Sequence, residues 1–171
     1  MALGDITILK QNSAMGSGSL KYNVAASATL INAGEPVKIA AVGDVVVVKG
    51  ATTEPVVVTT TTATVIPQGL YIGIAATTST NTAAAAGTVE IVPALPNTIF
   101  LGKPTVAASW DTQAEYDALV GKRVQFDLTT GSYTIIATDA AANGLVVMPL
   151  DIAKYPGRVA FAFRMSCTNL L

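Results

Sequence analysis

Apolar residues follow one another in short runs along most of the chain, and their spacing predicts strands. Between about Leu20 and Leu101 the runs are rich in Val, Ile and Thr, whose branched β-carbons suit the pleated surface of a sheet. Gly, Pro and Asn interrupt the runs at intervals typical of a barrel or sandwich. The predicted strands are Leu20–Ala26, Val37–Val42, Val45–Lys49, Glu54–Thr61, Leu70–Ala75, Thr88–Val92 and Thr98–Leu101.

The predicted strand Leu70–Ala75 illustrates the alternation. Side chains alternate between the two faces of a strand, so we expect Ile72 and Ile74 on one face. The small residues Gly73 and Ala75 fall on the other face, which allows a neighbour to pack closely. The following stretch, 77–87, contains four alanines after a Thr-rich segment. We predict an exposed loop there, placed for a subunit contact, and not a helix.

The residues after Trp110 predict one short helix. Thr112 and Glu115 have the spacing of a capping box, in which the two side chains accept the free N–H groups of a helix start. Tyr116 and Leu119 follow at helical spacing, and Gly121 favours a stop. The helix is therefore expected at about 112–120.

Alternation returns after the helix. Val124, Phe126 and Leu128 are expected to face the core, and residues 129–131 predict a hairpin turn to a strand at 132–137. Further turns at Asn143–Gly144 and Tyr155–Gly157 frame a strand at Leu145–Leu150 and a last inward row. That row consists of Val159, Phe161 and Phe163. The fold class is mainly β, a β-barrel or β-sandwich with one short helix.

Residues 1–20 are expected to form a flexible N-terminal arm. Ile6–Leu9 can form a short strand, and Gly16–Ser19 has the composition of a flexible linker. A frayed terminus is the alternative, although the arm of an assembly subunit often orders against a neighbour. Residues 21–171 are expected to form a single β-rich domain, with a possible sub-boundary near 102–110.

The amino-acid composition predicts that the protein assembles with other protein subunits. Only 12% of the residues are charged and 51% are hydrophobic, whereas about a quarter of a typical soluble domain is charged. A monomer would have to cover itself with Thr, Ser, Asn, Ala and Val, a surface poorly protected against association. The net charge of −1 offers no basic face for phosphates, so we expect no direct nucleic-acid partner.

Membrane and secretion signals are also missing from the sequence pattern. Met1–Asp5 lacks the basic and apolar regions of a signal peptide, and no apolar run is long enough to cross a bilayer. We therefore expect no membrane partner. The single cysteine, Cys167, excludes an intrachain disulfide and is expected to be a small packed residue.

The sequence excludes most catalytic machinery. It contains no histidine, which removes Ser-His-Asp, Cys-His and His-metal sites. Gly121–Lys122 is not a phosphate loop, because the upstream glycine is missing and Arg123 replaces the Mg²⁺-binding Ser or Thr. Gly16–Gly18 is followed by no helix-forming segment, so it is not a dinucleotide site. We predict that the protein is not an enzyme and that it has no catalytic, cofactor-binding or metal-binding residues.

Two groups of side chains allow a functional site as an alternative to a purely structural role. Asp111, Glu115 and Asp117 are explained by helix capping, but a Ca²⁺ site or a glycosidase pair is the alternative. Asp139 and Asp151 are expected in turns. The aromatic residues are expected to pack in a core or interface, with a carbohydrate site as the alternative. They are Trp110, Tyr116, Tyr133 and Tyr155.

Five segments of the C-terminal third carry a family resemblance: Trp110–Tyr116, Val120–Val124, Asn143–Ile152, Lys154–Gly157 and Phe161–Arg164. In these segments the chain resembles small decoration, or auxiliary capsid, proteins of tailed-phage heads. The resemblance implies a β-rich cement protein that binds the outer surface of the expanded capsid, often as a trimer. It implies the major capsid protein and the chain itself as partners, and a virion location after synthesis in the host cytoplasm.

Two other functions remain as alternatives. The first is a phage tail or fibre component, or a lectin-like module that recognises surface glycans, motivated by the aromatic residues. The second is a carboxylate-based hydrolase, motivated by the acidic residues near the helix.

Overall fold

The computed structural model describes residues 6–10, 18–26, 28, 30–39, 47–48, 71–127, 133–139 and 143–164. Strands dominate these residues, with one α-helix, α1 (Gln113–Leu119). No helix in this part of the chain has the length and apolar character needed to span a membrane. The strands are β1 (Thr7–Lys10), β2 (Leu20–Val24), β3 (Pro36–Ile39), β4 (Val47–Val48), β5 (Tyr71–Ala75), β6 (Gly87–Pro93), β7 (Ile99–Pro104), β8 (Arg123–Asp127), β9 (Thr134–Ile136), β10 (Leu145–Val147) and β11 (Val159–Phe163).

The C-terminal strands close into a five-stranded barrel in the order β7-β11-β10-β8-β9. All neighbours in the barrel are antiparallel except β7 and β9, which pair in parallel and close the ring. Closure removes the unpaired strand edges that an open sheet would leave. The prediction of a mainly β fold with a barrel and one short helix is confirmed.

Strand β7 has one edge that two other strands share. Its first half pairs with β1, where Thr7 lies opposite Leu101, and its second half pairs with β9, where Lys103 lies opposite Thr134. The short strand predicted within the N-terminal arm is therefore present, and it pairs with its own chain. Strand β1 follows the buried side chain of Ile6. The division into an arm and a domain stays a prediction.

Aromatic rings fill the barrel. Phe100, Phe126 and Phe161 are fully buried, and Phe163 packs against all three. Ring centroids in this group lie 5.4 to 6.1 Å apart, the range in which edge-to-face and offset pairs are favourable. The predicted inward positions on β8 and β11 are thus confirmed, whereas Leu128 lies outside the described residues.

The second sheet has the order β2-β6-β5-β3-β4 and encloses a smaller core. The prediction that Ile72 and Ile74 share a face is wrong: Ile72 lies in the smaller core and Ile74 in the barrel core. Between them Gly73 has a φ of 155°, and the β3–β5 register shifts beside it. A Cβ at Gly73 would lie 2.0 Å from the carbonyl oxygen of Val92, so the backbone of β6 occupies the space left by the small residue.

The chain passes from one sheet to the other through residues 94–98, where Asn97 adopts a φ of 66°. The proposed sub-boundary near 102–110 falls at the end of β7 and in the short 3₁₀ turn Ala107–Ser109 that follows it. Residues 77–86 form the predicted exposed loop without a helix. The predicted strand Glu54–Thr61 and the turn at 129–131 lie outside the described residues.

The tight packing at Gly102 predicts the effect of a substitution. An added Cβ would lie 3.2 Å from Cγ1 of Ile135 and 3.3 Å from Cε1 of Phe161, at the point where β7 meets β9. We expect Gly102→Val to lower the free energy of unfolding by about 1–3 kcal/mol, and Gly102→Ala to have a smaller effect. Denaturant unfolding measures both, and Ala108→Val at an exposed site provides the control. Equal stability of all three variants would contradict tight closure at this position.

Candidate functional site

The carboxylates singled out in the sequence lie around the start of α1. Thr112 is the N-cap: its hydroxyl accepts the N–H of Glu115 at 3.3 Å, and the Glu115 carboxylate accepts the N–H of Thr112 at 3.2 Å. The Thr112 hydroxyl also donates to Glu115 Oε2 at 2.7 Å. This is the predicted capping box, in which Glu115 stabilises the start of the helix.

The other two carboxylates also have local partners. A hydrogen bond with Glu115 raises the pKa of Asp111, while the Thr112 hydroxyl lowers the pKa of Glu115. Asp117 accepts a hydrogen bond of 2.7 Å from Gln113 Nε2, which lies near enough to donate to the carbonyl of Leu150 as well. Among the described residues, no group of three acidic or cysteine side chains is arranged to hold a metal ion. Glu115 thus caps the helix start, whereas Asp111 and Asp117 have local partners but no part in the capping box.

The candidate aromatic residues are mostly inaccessible. Trp110, Tyr116 and Tyr133 are each less than 5% exposed and belong to the barrel core. Trp110 and Tyr116 pack together with ring centroids 5.8 Å apart. Tyr155 is half-buried, and the ammonium group of Lys154 lies 5.5 Å from its ring centroid. The first three rings cannot offer a face to a sugar, so the expectation that they pack in a core is confirmed.

The hydroxyl of Tyr116 occupies a position in the barrel sheet that the sequence pattern did not reveal. It accepts the N–H of Ala160 at 2.9 Å and donates to the carbonyl of Met148 at 2.9 Å. It thereby bridges the two strands just beyond the β10–β11 ladder, where Val147 lies opposite Phe161. Burial raises the pKa of Tyr116 to about 12, so the hydroxyl stays protonated and able to donate.

Charged side chains gather at the barrel end near the start of β8. Asp139 accepts the N–H of Arg123 at 3.1 Å and forms ion pairs with Lys122 and Arg123, each at 3.6 Å. The N–H of Arg123 and both cations lower the pKa of Asp139. Asp139 therefore anchors the start of β8; the residues that follow it, 140–142, lie outside the described part of the chain, so its expected place in a turn stays a prediction. Asp151 does occupy a turn, where it accepts the N–H of Ala153 at 3.0 Å.

Two loops meet at the tip of the second sheet. Ile31 and Ser79 exchange hydrogen bonds: the N–H of Ile31 donates to Ser79 Oγ at 2.9 Å, and the N–H of Ser79 donates to the carbonyl of Ile31 at 2.8 Å. The Ser79 hydroxyl also donates to the buried side chain of Asn81 at 2.6 Å. We call the described parts of residues 25–34 and 76–86 the neutral tip.

The neutral tip carries no charged side chain among its described residues. In the sequence, residues 55–89 contain no Lys, Arg, Asp or Glu at all. Glu35 follows the tip but is fully buried, and its carboxylate accepts the N–H of Asn32 at 2.8 Å. The exposed residues of the tip are Ala25, Ala26, Ala28, Leu30, Ala76, Thr77, Thr78, Thr80, Thr82, Ala83, Ala84, Ala85 and Ala86.

The barrel half has the opposite character. Charged side chains lie around it at exposed or half-buried positions, which keeps that surface hydrated. They are Lys103, Asp111, Glu115, Asp117, Lys122, Arg123, Asp127, Asp139, Asp151, Lys154, Arg158 and Arg164.

No protein-family model matches the sequence, and no curated protein matches it significantly. Inference about function therefore depends on the geometry and charge of the chain itself.

The capping geometry predicts that the Thr112–Glu115 pair, and not Asp111, stabilises the helix start. Thr112→Ala should lower the free energy of unfolding by about 1 kcal/mol, because the N–H of Glu115 loses its acceptor. Asp111→Asn is the matched variant: it removes a carboxylate that faces Glu115 and should leave stability at pH 7 unchanged or raised. Thermal unfolding of both variants checks this. A larger loss for Asp111→Asn than for Thr112→Ala would contradict the structural role.

The hydroxyl groups of two buried tyrosines differ in their hydrogen bonding, so we expect removal of each hydroxyl to change stability differently. Tyr116→Phe leaves the N–H of Ala160 and the carbonyl of Met148 without their bridge, and should lower stability by about 1–3 kcal/mol. The Tyr133 hydroxyl is buried and has no hydrogen-bond partner among the described residues, so Tyr133→Phe should be neutral or stabilising. Denaturant unfolding compares the two variants. Equal losses would show that the Tyr133 hydroxyl has a partner.

Proposed function

We propose that this protein is a non-enzymatic structural subunit of a virus particle, a decoration or cement protein on the head of a tailed phage. The observation that carries the proposal is the unequal distribution of charge: the neutral tip consists of small uncharged residues, whereas charged side chains surround the barrel. Charged residues are depleted from the centres of protein interfaces, and the tip shares this absence of charge but has none of the aromatic residues that are enriched there.

The resemblance to phage decoration proteins supports the same function. Its segments overlap with α1, β8, β10 and β11, which belong to the barrel half of the molecule. Strand β10 lies between β8 and β11, and the hydroxyl of Tyr116 from the first segment donates to the carbonyl of Met148, so these segments pack together. Residues that are distant in sequence but packed together are what a shared subunit fold would require.

The mechanism of such a subunit is mechanical. Packaged DNA presses outward on the head, and each bound copy adds buried area across the joints between capsomers. A contact of standard size buries about 1,600 Å² in total. Repetition over many equivalent sites converts modest individual contacts into a large gain in avidity. The partners are the major capsid protein and further copies of the chain.

The alternatives have less support. A hydrolase would need a carboxylate available to substrate, but Glu115 is engaged by Thr112 and Asp117 by Gln113. A glycan-binding module would need exposed aromatic faces, but Trp110 and Tyr116 are buried.

Labelling of virus particles tests the proposal. Gold-labelled antibodies against the chain should mark the heads of particles from the phage that encodes it, in many copies per head. Particles produced without the chain should release their DNA at a lower temperature than particles to which the purified protein is added back. Absence of the chain from purified particles, or label confined to the tail, would contradict a head decoration role.

A further inference from the structure

Strand β1 is added to a barrel that is already closed without it. The ring of β7, β11, β10, β8 and β9 closes where Lys103 of β7 lies opposite Thr134 of β9. Strand β1 lies outside this ring and, among the described strands, pairs with β7 alone. Departure of β1 would therefore leave every strand pair of the barrel intact.

The edge of β7 that carries β1 forms a binding site for an extended segment, which we call the β1 seat. Thr7 lies opposite Leu101 and Lys10 lies opposite Ile99 along this edge. Ile6, which precedes the strand, is 5% exposed and packs in the barrel core. An empty seat would leave an open strand edge, which templates the pairing of another strand, and an apolar gap in place of Ile6. The seat thus fits a strand that carries one apolar side chain at that position.

Few contacts hold β1 in its seat. It is a strand of four residues, and its register shifts between Ile8 and Lys10. Thr7, Ile8 and Lys10 are exposed, and Ile8 keeps 44% of its surface in water. A segment with few buried apolar contacts opens at a lower free energy than the one that unfolds the core. Strand β1 can therefore leave its seat while the barrel stays folded.

The occupant of the seat indicates which partner can replace it. Residues 6–10 of this chain fill the seat, so a second copy carries a segment of identical sequence. Exchange of that segment between two copies replaces each contact by the same contact in the other copy, and no new surface has to fit. A different protein would have to reproduce both the strand register and the apolar side chain at the position of Ile6.

We infer that β1 is exchanged between neighbouring copies of this chain, with residues 6–10 of one copy paired to β7 of the next. The inference rests on the proposed function and deepens it, because it assigns a contact between copies. The ten residue steps from Lys10 to Leu20 can span up to about 33–36 Å, close to the diameter of a small domain, so β2 can remain in its own molecule. Copies held side by side on a particle meet at a high local concentration, which favours exchange.

Disulfide trapping in the full chain tests the exchange, in a Cys167→Ser background that removes the native thiol. One preparation carries Lys10→Cys and the other carries Ile99→Cys, at positions that lie opposite each other in the register. The two are unfolded together, refolded at a chain concentration of about 1 mM, which matches the effective concentration set by a short linker, and then oxidised. Exchange should give a disulfide-linked species of twice the 17.4 kDa chain mass on a nonreducing gel.

A matched mixture controls for random collisions between thiols. It combines Lys10→Cys with Ala108→Cys, because Ala108 is exposed and has no place in the β1 seat. The first mixture should give at least about ten times as much linked dimer as this control. Circular dichroism establishes that the variants are folded, and Thr7→Cys with Leu101→Cys is a second opposed pair if either of the first two fails to fold.

The outcomes separate this inference from the proposed function. Equal amounts of linked dimer in the two mixtures would overturn the exchange. So would a Lys10→Cys/Ile99→Cys double variant whose disulfide forms only within one chain at the same concentration. Trapped exchange by a chain that is absent from phage heads would overturn the virion role and leave the exchange established, whereas labelled heads without trapping would do the reverse.

Discussion

The architecture depends on how strand β7 divides its hydrogen bonds. One edge pairs with β11, while the other pairs first with β1 and then, in parallel, with β9. Strand β7 changes its pairing partner from β1 to β9 near Gly102, where Ile135 and Phe161 leave no room for a larger side chain. Without this shared edge the sheet would remain open, and the aromatic rings inside it would meet water.

Closure of the barrel creates the site that receives the helix. Strands β10 and β11 pair through Leu145–Val147, and just beyond this ladder the Tyr116 hydroxyl bridges the two strands. The capping box at Thr112 and the hydrogen bonds of Gln113 to Leu150 and Ile152 fix the helix in register with that bridge. Gln113 and Tyr116 therefore hold α1 on the barrel, while Glu115 caps the helix start.

The two halves of the molecule differ in the residues that they bury and in the charge of their surfaces. The barrel buries its large aromatic residues and carries most of the charges of the described surface, so water solvates it well. The second sheet buries a smaller aliphatic core and ends in loops of Ala, Thr and Ser, ordered by their own hydrogen bonds. The two sheets therefore differ in both the size of the buried residues and the charge of the described surface.

The sequence by itself determined the local features, because these depend on neighbouring residues: the alternation of Val124 and Phe126, the capping box at Thr112, and the exposed loop at 77–86. The low charge and the absence of histidine are likewise read from the sequence alone, and they favour a prediction of assembly over one of catalysis. Only the tertiary structure decided the features that join distant segments. The parallel β7–β9 pairing, the Tyr116 bridge and the meeting of Ile31 with Ser79 each bring together residues at least 29 positions apart. Such contacts follow from three-dimensional packing. The alternation of side chains along β5 predicted the wrong face for Ile74, because the backbone conformation at Gly73 interrupts that alternation.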